Sequence, residues 1–380
     1  MSAVAANHRE ILRESATFRI HRSGRFLVAE LLAPHLVLST SVTNGGQAES
    51  VRYLLNHQSC EAAAHLERHD VIHGRGLKSY HDQACGEAGL DPALVVLMGT
   101  AANMNYASIV GHASEEISVV AVVTAGVSGN AACAADPTAW CEGQDGFRKT
   151  SPYDGTINTM LLLDRPLTPG AMAGAAMVMT EAKAAALQRL AVRSRYSHEY
   201  ATGTNTDQYC FACPRDGRVL TSASSGVRAG ELIGRAMRDA TMEALRWQNG
   251  LEASYARSLF HALGVYGIKE ESFFDDIAPL LTQPQLALLK ANKKAVVFEP
   301  LVAASAFAIA SVLDRLRHGI LPAGAAREAL RQQAATMAAS LAAQPRLWPE
   351  FHERIAPVDL EQPARVVLGA IALGWAAKWT

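Results

Sequence analysis

The sequence has no excess of charge of either sign, and aromatic residues make up only 6% of it. Its 380 residues include 35 Lys and Arg against 36 Asp and Glu, so the formal net charge is −1. General binding of nucleic acids or membrane surfaces requires a marked basic excess. We therefore expect no nucleic acid and no membrane among its partners. The 49% of hydrophobic residues also excludes an acidic disordered chain.

Long apolar runs and cysteines are scarce as well. The longest uncharged apolar runs, 302–313 and 366–377, are too short to cross a bilayer as helices. The polar segment 1–25 lacks the apolar stretch of a signal peptide. Six cysteines are sparse for this length and do not form the pattern of a disulfide framework. These features predict a cytoplasmic protein with reduced thiols.

Strands and helices alternate in the first two thirds of the chain. Four short β-branched runs that end in turn-forming residues are typical of buried strands: 36–43, 94–98, 117–124 and 157–163. Three segments predict helices: 48–69, 171–190 after the cap Thr168-Pro169, and 229–247. This alternation predicts an α/β fold.

The composition changes after Gly250. Residues 251–380 are rich in Ala, Leu and Gln, and proline breaks divide them at positions 284, 300, 322 and 345. We expect a catalytic domain over 1–250 and a helical region of four to six helices over 251–380. The apolar helix faces of that region need a partner surface, for which the first domain, a second subunit of a homo-oligomer and the other helices of the region are the alternatives. We expect its role to be structural or regulatory.

Polar clusters follow or precede the predicted strands. Hydrolysis of an amide needs a nucleophile, a base and donors for the developing oxyanion, and hydroxyl groups and glycine-flanked loops supply such groups. The acid–base and nucleophile candidates are Thr156, Glu181, Asp207 and His57. The candidate substrate-binding residues are Asn44, Gly45, Gly46, Thr124, Gly126, Ser128, Asn130, Asn158, Thr202, Thr204 and Thr206.

Taken in order, these clusters resemble the motifs of the adenosylcobinamide amidohydrolase family over residues 36–248. The resemblance rests on Asn44-Gly45-Gly46 with Asn56-His57 downstream, Thr124-Ala125-Gly126-Val127 with Asn130, Gly155-Thr156-Ile157-Asn158, the segment 180–187, and the segment 201–207. It implies hydrolysis of adenosylcobinamide to cobyric acid and aminopropanol in corrinoid salvage, with a corrinoid as the substrate and without a cofactor.

The chain departs from the family pattern at several places. Asn205 stands where the family usually has Gly, and Ala135-Asp136 stands where a Gly-Asp pair is common. The helical region is not part of the usual family unit. These departures leave open an amidohydrolase acting on a different amide, such as a metallophore. They also leave open a corrinoid- or metallophore-binding protein without catalysis, and an interaction protein whose tail recruits a partner.

A looser resemblance bears on the fold. The segment 155–190 is similar to a strand and helix of the self-cleaving aminopeptidase and ornithine acetyltransferase group, which has a four-layer αββα sandwich. We therefore expect a layered αββα-like sandwich followed by an all-helical C-terminal region.

Two patterns raise the question of a metal. His57, His65, His69 and His73 would share one face if they lay on one helix, but they equally fit a solvated face. Cys210-x-x-Cys213 is a single pair, which fits two ordinary loop cysteines, half a zinc site or a redox pair. Because no second pair has suitable spacing, we expect no bound metal.

Overall fold

The structure is a computed structural model that describes residues 9–60, 76–138, 140–143, 146–149, 155–355 and 357–378. The chain divides into two compact units, Met1–Leu251 and Glu252–Thr380. Each unit has a hydrophobic core made of its own residues. No helix in the described part of the chain is both long and apolar enough to cross a membrane.

The first unit contains fifteen described strands and three described α-helices. In chain order they are β1 (Glu10–Glu14), β2 (Phe18–Ser23), β3 (Phe26–Leu31), β4 (His35–Ser39), β5 (Gly46–Ala48), β6 (Tyr53–Gln58), α1 (Gly76–Ala88), β7 (Val95–Thr100), β8 (Ser108–Ala113), β9 (Ser118–Ala125), β10 (Ala131–Ala132), β11 (Trp140–Gly143), β12 (Gly146–Lys149), β13 (Ile157–Leu163), α2 (Pro169–Arg189), β14 (Gly203–Thr204), β15 (Gln208–Pro214) and α3 (Arg228–Asn249).

Two large sheets make up the centre of this unit. Sheet 1 has the strand order β1-β2-β3-β6-β7, and sheet 2 has the order β5-β4-β15-β13-β9-β8. Most neighbouring strands are antiparallel, but β6 with β7 and β13 with β15 are parallel. Two small antiparallel pairs, β10 with β14 and β11 with β12, complete the described strands.

Three apolar layers show how these elements stack. Leu55 and Leu97 of sheet 1 pack with residues of α1. Leu54 and Met98, on the other face of sheet 1, pack against sheet 2. The far face of sheet 2, which includes Leu161 of β13, packs against α2 and α3. The order is therefore α1, sheet 1, sheet 2, then α2 and α3, which confirms the predicted αββα sandwich.

The four predicted strands correspond to β4, β7, β9 and β13, and for β13 the predicted range 157–163 is the observed one. All seven residues of β13 are buried, because this strand has neighbours on both sides and apolar layers on both faces. Such strands form continuous apolar runs, which is why the sequence locates them well.

The predicted helix at 48–69 is wrong where the structure describes it. Residues Tyr53–Gln58 form β6, a central strand of sheet 1 between β3 and β7. Because the strand is buried on both faces, its sequence lacks the alternation of polar and apolar residues that would have distinguished it from a helix. Residues 61–69 of that prediction lie outside the described residues.

The other two predicted helices are confirmed as α2 and α3. Thr168 caps α2 by accepting a hydrogen bond from the Ala171 N–H, and proline occupies the first turn. Helix α3 ends at Gly250, which has a left-handed conformation with φ of 65°. The ion pair between Glu231 and Arg235 joins consecutive turns of α3 at 3.6 Å.

Every element described in the second unit is helical, as predicted, but the predicted number of four to six helices is wrong, because nine α-helices are described and several are only four or five residues long. The α-helices are α4 (Ala253–Ala256), α5 (Leu259–Leu263), α6 (Phe273–Ile277), α7 (Gln283–Ala291), α8 (Lys293–Val297), α9 (Pro300–Arg317), α10 (Ala323–Ala342), α11 (Trp348–Arg354) and α12 (Pro363–Ala376). Three of the four predicted proline breaks lie at the beginnings of α7, α9 and α10. The fourth begins a short 3₁₀ helix.

Candidate functional site

A buried polar cluster lies between the two sheets, where β6 and β9 end and β13 begins. Asn56 Nδ2 donates to Thr124 Oγ1 at 2.8 Å, and Asn158 Nδ2 donates to Asn56 Oδ1 at 3.0 Å. All three residues are at most 2% exposed. A polar network inside a mostly apolar layer requires satisfaction by its partners, and here the side chains bond to one another and Asn158 Nδ2 also donates to the Gly99 carbonyl oxygen at 2.9 Å.

Thr156 extends this network toward the end of the sandwich. Its Oγ1 is positioned to donate to the Thr206 carbonyl oxygen at 2.7 Å and to Asn158 Oδ1 at 3.2 Å. The residue is 6% exposed. No described residue donates a hydrogen bond to Oγ1, so its two acceptor lone pairs are not engaged within the described part of the chain.

The backbone on either side of Thr156 is tightly fixed. A Cβ atom at Gly155 would lie 2.7 Å from the Gly126 carbonyl oxygen, so this close approach admits only glycine. The Gly126 N–H in turn donates to the Thr156 carbonyl oxygen at 3.0 Å. Asn130 Nδ2 and Thr206 Oγ1 both donate to the Gly155 carbonyl oxygen at 2.8 Å. The predicted binding residues Gly126, Asn130 and Thr206 therefore surround the start of β13.

Asp207 is the carboxylate that these contacts connect to Thr156. It accepts hydrogen bonds from the Ile157 N–H at 3.0 Å, the Thr204 N–H at 3.0 Å and Thr204 Oγ1 at 2.5 Å. Lys183 Nζ of α2 forms an ion pair with Asp207 Oδ2, and both side chains are about 15% exposed. Asp207 thus holds the loop before β15 against the first residue of β13.

Other predicted binding residues stabilise turns. Asn44, with φ of 57°, donates through Nδ2 to two backbone carbonyls near the start of β7. A Cβ atom at Gly45 would lie 1.7 Å from the Ser41 carbonyl oxygen, and Gly46 is an exposed residue with φ of 74°. These contacts fix the connection from β4 to β5. They do not connect it to Thr156.

Two further candidates bind neighbouring segments rather than the Thr156 cluster. Ser128 Oγ accepts a hydrogen bond of 2.7 Å from Asn249 Nδ2 at the end of α3. Thr202 Oγ1 accepts one of 2.9 Å from the Ala134 N–H. Both contacts hold the loops that flank β10 and β14. Their predicted role in substrate binding stays a prediction.

His57 and Asn56 are adjacent in β6 and face opposite sides of sheet 1. His57 lies on the α1 side, where its ring stacks on Phe26 at 4.8 Å and its Nδ1 forms a hydrogen bond of 2.8 Å with the Tyr80 hydroxyl. Successive side chains of a strand point in opposite directions, so only Asn56 reaches the polar cluster. The structure does not bring His57 to Thr156.

Glu181 is also apart from this cluster. It is exposed on α2, two positions before Lys183. Helix residues two apart do not face each other, so the ion pair between Lys183 and Asp207 turns Glu181 away from the site. The acid–base role predicted for Glu181 has no support from this placement.

Three residues of the network were not predicted as site residues: Asn56, Lys183 and Tyr196. Asn56 and Lys183 stand within the family-like motifs, but the nearby His57 and Glu181 have side chains typical of acid–base catalysis, so the sequence favours those two. The Tyr196 hydroxyl donates to Asn130 Oδ1 at 2.5 Å, across a separation of 66 residues. No local sequence signal indicates such a contact.

The two cysteines of the Cys-x-x-Cys pair lie on opposite faces of β15. Cys210 belongs to the layer between the sheets, and Cys213 to the layer between sheet 2 and the helices. Burial raises the pKa of the Cys210 thiol to about 12, and burial also raises the pKa of Cys213. The two thiols cannot converge on one metal ion, and the thiolate form that a metal requires is disfavoured.

The structure gives no support to a metal site elsewhere in the residues it describes. Within those residues, no group of three or more His, Cys, Asp and Glu side chains converges to hold an ion. The predicted histidine cluster includes His65, His69 and His73, which lie outside the described residues.

Comparisons with known proteins identify the family to which the first unit is similar. The model of the adenosylcobinamide amidohydrolase family (CbiZ) matches residues 11–253. The match begins earlier than the motifs alone indicated and includes β2 and β3, and it ends where the helical unit begins. A protein of Methanocaldococcus jannaschii, described as uncharacterized, is 30% identical over 221 residues, which are 54% of this chain and 80% of that protein.

Proposed function

Because this chain belongs to the adenosylcobinamide amidohydrolase family, we propose that it hydrolyses the amide bond between the corrinoid and aminopropanol of adenosylcobinamide. One water is consumed, the C–N bond breaks, and the products are the carboxylate of cobyric acid, which keeps the adenosyl ligand on cobalt, and the amine of aminopropanol. The reaction is a corrinoid salvage step in the cytoplasm and uses no added cofactor.

The Thr156 hydroxyl is the observation that carries the site assignment. Its proton is directed to the Thr206 carbonyl or to Asn158 Oδ1, which leaves the oxygen lone pairs available to an electrophile. An oriented hydroxyl with unengaged lone pairs meets one requirement for attack on an amide carbonyl, and the second requirement is a base that takes up the hydroxyl proton. We assign Thr156 as the residue that contacts the scissile amide.

Carboxamide groups next to Thr156 are positioning groups in this proposal. Asn158 Oδ1 lies 3.2 Å from Thr156 Oγ1, and Asn158 Nδ2 donates to Asn56 Oδ1 at 3.0 Å and to the Gly99 carbonyl oxygen at 2.9 Å. Asn56 Nδ2 donates to Thr124 Oγ1 at 2.8 Å. These hydrogen bonds fix the surroundings of the Thr156 hydroxyl before the substrate binds.

Asp207 and Lys183 are positioning residues in this proposal. Asp207 accepts from the Ile157 N–H, and so acts on Thr156 through the adjacent backbone. The ion pair with Lys183 keeps the carboxylate in place. A shift of about 1 Å in a reacting group is enough to reduce a rate by roughly 100-fold, so the pair matters without touching the substrate.

The test is incubation of the purified chain with adenosylcobinamide, without ATP, followed by mass spectrometry. We expect equimolar cobyric acid and aminopropanol, and product formation at least about 100-fold slower with Thr156→Ala. A corrinoid that binds with its mass unchanged would instead indicate a binding protein. Turnover only of another amide from a panel that includes metallophores would keep the reaction class and replace the substrate.

A further inference from the structure

The hydroxyl-rich loop between β14 and β15 contains one polar side chain that differs from its neighbours. The side chains of Thr204 and Thr206 donate to Asp207 Oδ1 and to the Gly155 carbonyl oxygen, respectively. Asn205 stands between them, and its Nδ2 is buried without a hydrogen-bond partner among the residues that the structure describes. The loop thus retains one unused polar group.

A buried donor without a partner is costly. Leaving such a group unsatisfied costs about 1–3 kcal/mol, so such groups are few in native proteins and each requires an explanation, of which a functional role is one. Glycine, which the family usually has at this position, would avoid the cost. We infer that Asn205 is a specificity residue whose carboxamide binds a carboxamide side chain of the corrinoid substrate, an inference that rests on the proposed function.

The position of Asn205 places such a contact beside the reacting hydroxyl. The carbonyl oxygen of the next residue, Thr206, accepts the hydrogen bond from Thr156 Oγ1 at 2.7 Å. Consecutive Cα atoms are about 3.8 Å apart, so the backbone of Asn205 adjoins the residue that holds the Thr156 hydroxyl. A contact there selects which substrate is held against the hydroxyl without taking part in bond cleavage.

A carboxamide of the substrate matches the chemistry of Asn205. The Asn side chain presents two donors and one acceptor, and a primary amide presents the same set, so the two groups form a paired donor–acceptor contact. The corrin ring carries several such amides at its periphery. A carboxylate at the same place has no donor to offer and would pair with only one half of the Asn side chain.

The experiment compares the full-length protein with Asn205→Gly and with Asn205→Asp, which keeps the shape and removes the donors. We expect both variants to raise KM for adenosylcobinamide at least about tenfold and to leave kcat within about threefold, because the lost contact is made equally in ground and transition states. Melting temperature should stay level or rise in Asn205→Gly, since a buried unpaired donor is removed.

A set of cobinamides, each with one peripheral amide hydrolysed to a carboxylate, identifies the partner group. The wild type should discriminate against one member of the set by about tenfold or more, and Asn205→Gly should lose that discrimination. Unchanged KM values for all substrates would overturn the inference. A large fall in the melting temperature of Asn205→Gly, together with a fall in kcat as large as the rise in KM, would also overturn the inference. That result would indicate a structural role for Asn205.

Failure of the proposed function is distinguishable from failure of this inference. If the wild type cleaves no corrinoid, the dissociation constant for adenosylcobinamide is measured by absorbance titration in wild type and Asn205→Gly. Weaker binding by the variant supports the contact even without turnover. Equal binding, or no binding by the wild type, overturns it.

Discussion

Asn56 of sheet 1 donates a hydrogen bond of 2.8 Å to Thr124 of sheet 2, across 68 residues of sequence. With the bond from Asn158 to Asn56, it joins the two sheets through polar groups in a layer that is otherwise apolar. The contact fixes the spacing of the sheets at the end of the sandwich where Thr156 lies. The candidate site is therefore built into the packing of the two sheets.

Replacing Thr156 with alanine should reduce kcat at least about 100-fold, the scale of a lost reacting or oxyanion-stabilising group. Thr156→Ser keeps the hydroxyl and should retain substantial turnover. The control is Thr180→Ala, because the exposed Thr180 hydroxyl bonds only to carbonyls of its own helix. The kcat of all three variants is measured by steady-state kinetics. If Thr156→Ala turned over substrate at the rate of the wild type, Thr156 would not belong to the active site.

The ion pair of Asp207 and Lys183 should show strong coupling in stability. Asp207→Asn leaves the mostly buried Lys183 ammonium without its counter-charge, and breaking such a pair costs about 3–5 kcal/mol. The double variant Asp207→Asn with Lys183→Met should recover part of the loss. Urea unfolding of the two single variants and the double variant gives the coupling energy, and simple additivity would contradict the pairing.

Gly203→Ala should disturb the same ion pair from the backbone side. A Cβ atom at Gly203 would lie 2.1 Å from Asp207 Oδ2 and 2.8 Å from Lys183 Nζ, so the pair has to separate or the loop has to move. We expect loss of both stability and turnover. The matched control is Gly170→Ala, where no atom lies within 4 Å of the added Cβ. Equal melting temperatures for the two variants would be the contrary result.

The thiols of Cys210 and Cys213 should be inert in the folded protein. Because burial raises the pKa of Cys210 to about 12 and raises that of Cys213, both stay protonated as pH rises through 8, and neither is accessible. Iodoacetamide labelling at pH 8 followed by peptide mapping should find neither site modified without denaturant and both modified in urea. Rapid native labelling would be inconsistent with their burial.

The strands and helices that the sequence located correctly are those with strong local signals. The strand 157–163 is a continuous apolar run, and α2 begins with a Thr-Pro cap. The proline breaks after residue 251 marked helix starts because proline is tolerated in the first turn and not in the interior. The strand Tyr53–Gln58 was missed because burial on both faces removes the polar alternation.

The candidate site was predicted as a set of motifs, and only part of that set converges. Thr156, Asn158, Thr124, Asn130, Thr206 and Asp207 meet at one end of the sandwich, as their hydrogen bonds show. The motif order indicated the family without any knowledge of contacts. The motifs did not indicate which of their residues reach the cluster.

The sequence by itself determined the family, the positions of the four strands β4, β7, β9 and β13, and the helical nature of residues after 251. Only the tertiary structure decided that Asn56 faces the cluster and His57 the opposite layer, and that Lys183 meets Asp207. The physical reason is that side chains alternate along a strand and rotate around a helix, so adjacent residues enter different layers. Which layer contains the site depends on sheet packing between segments that are distant in the chain.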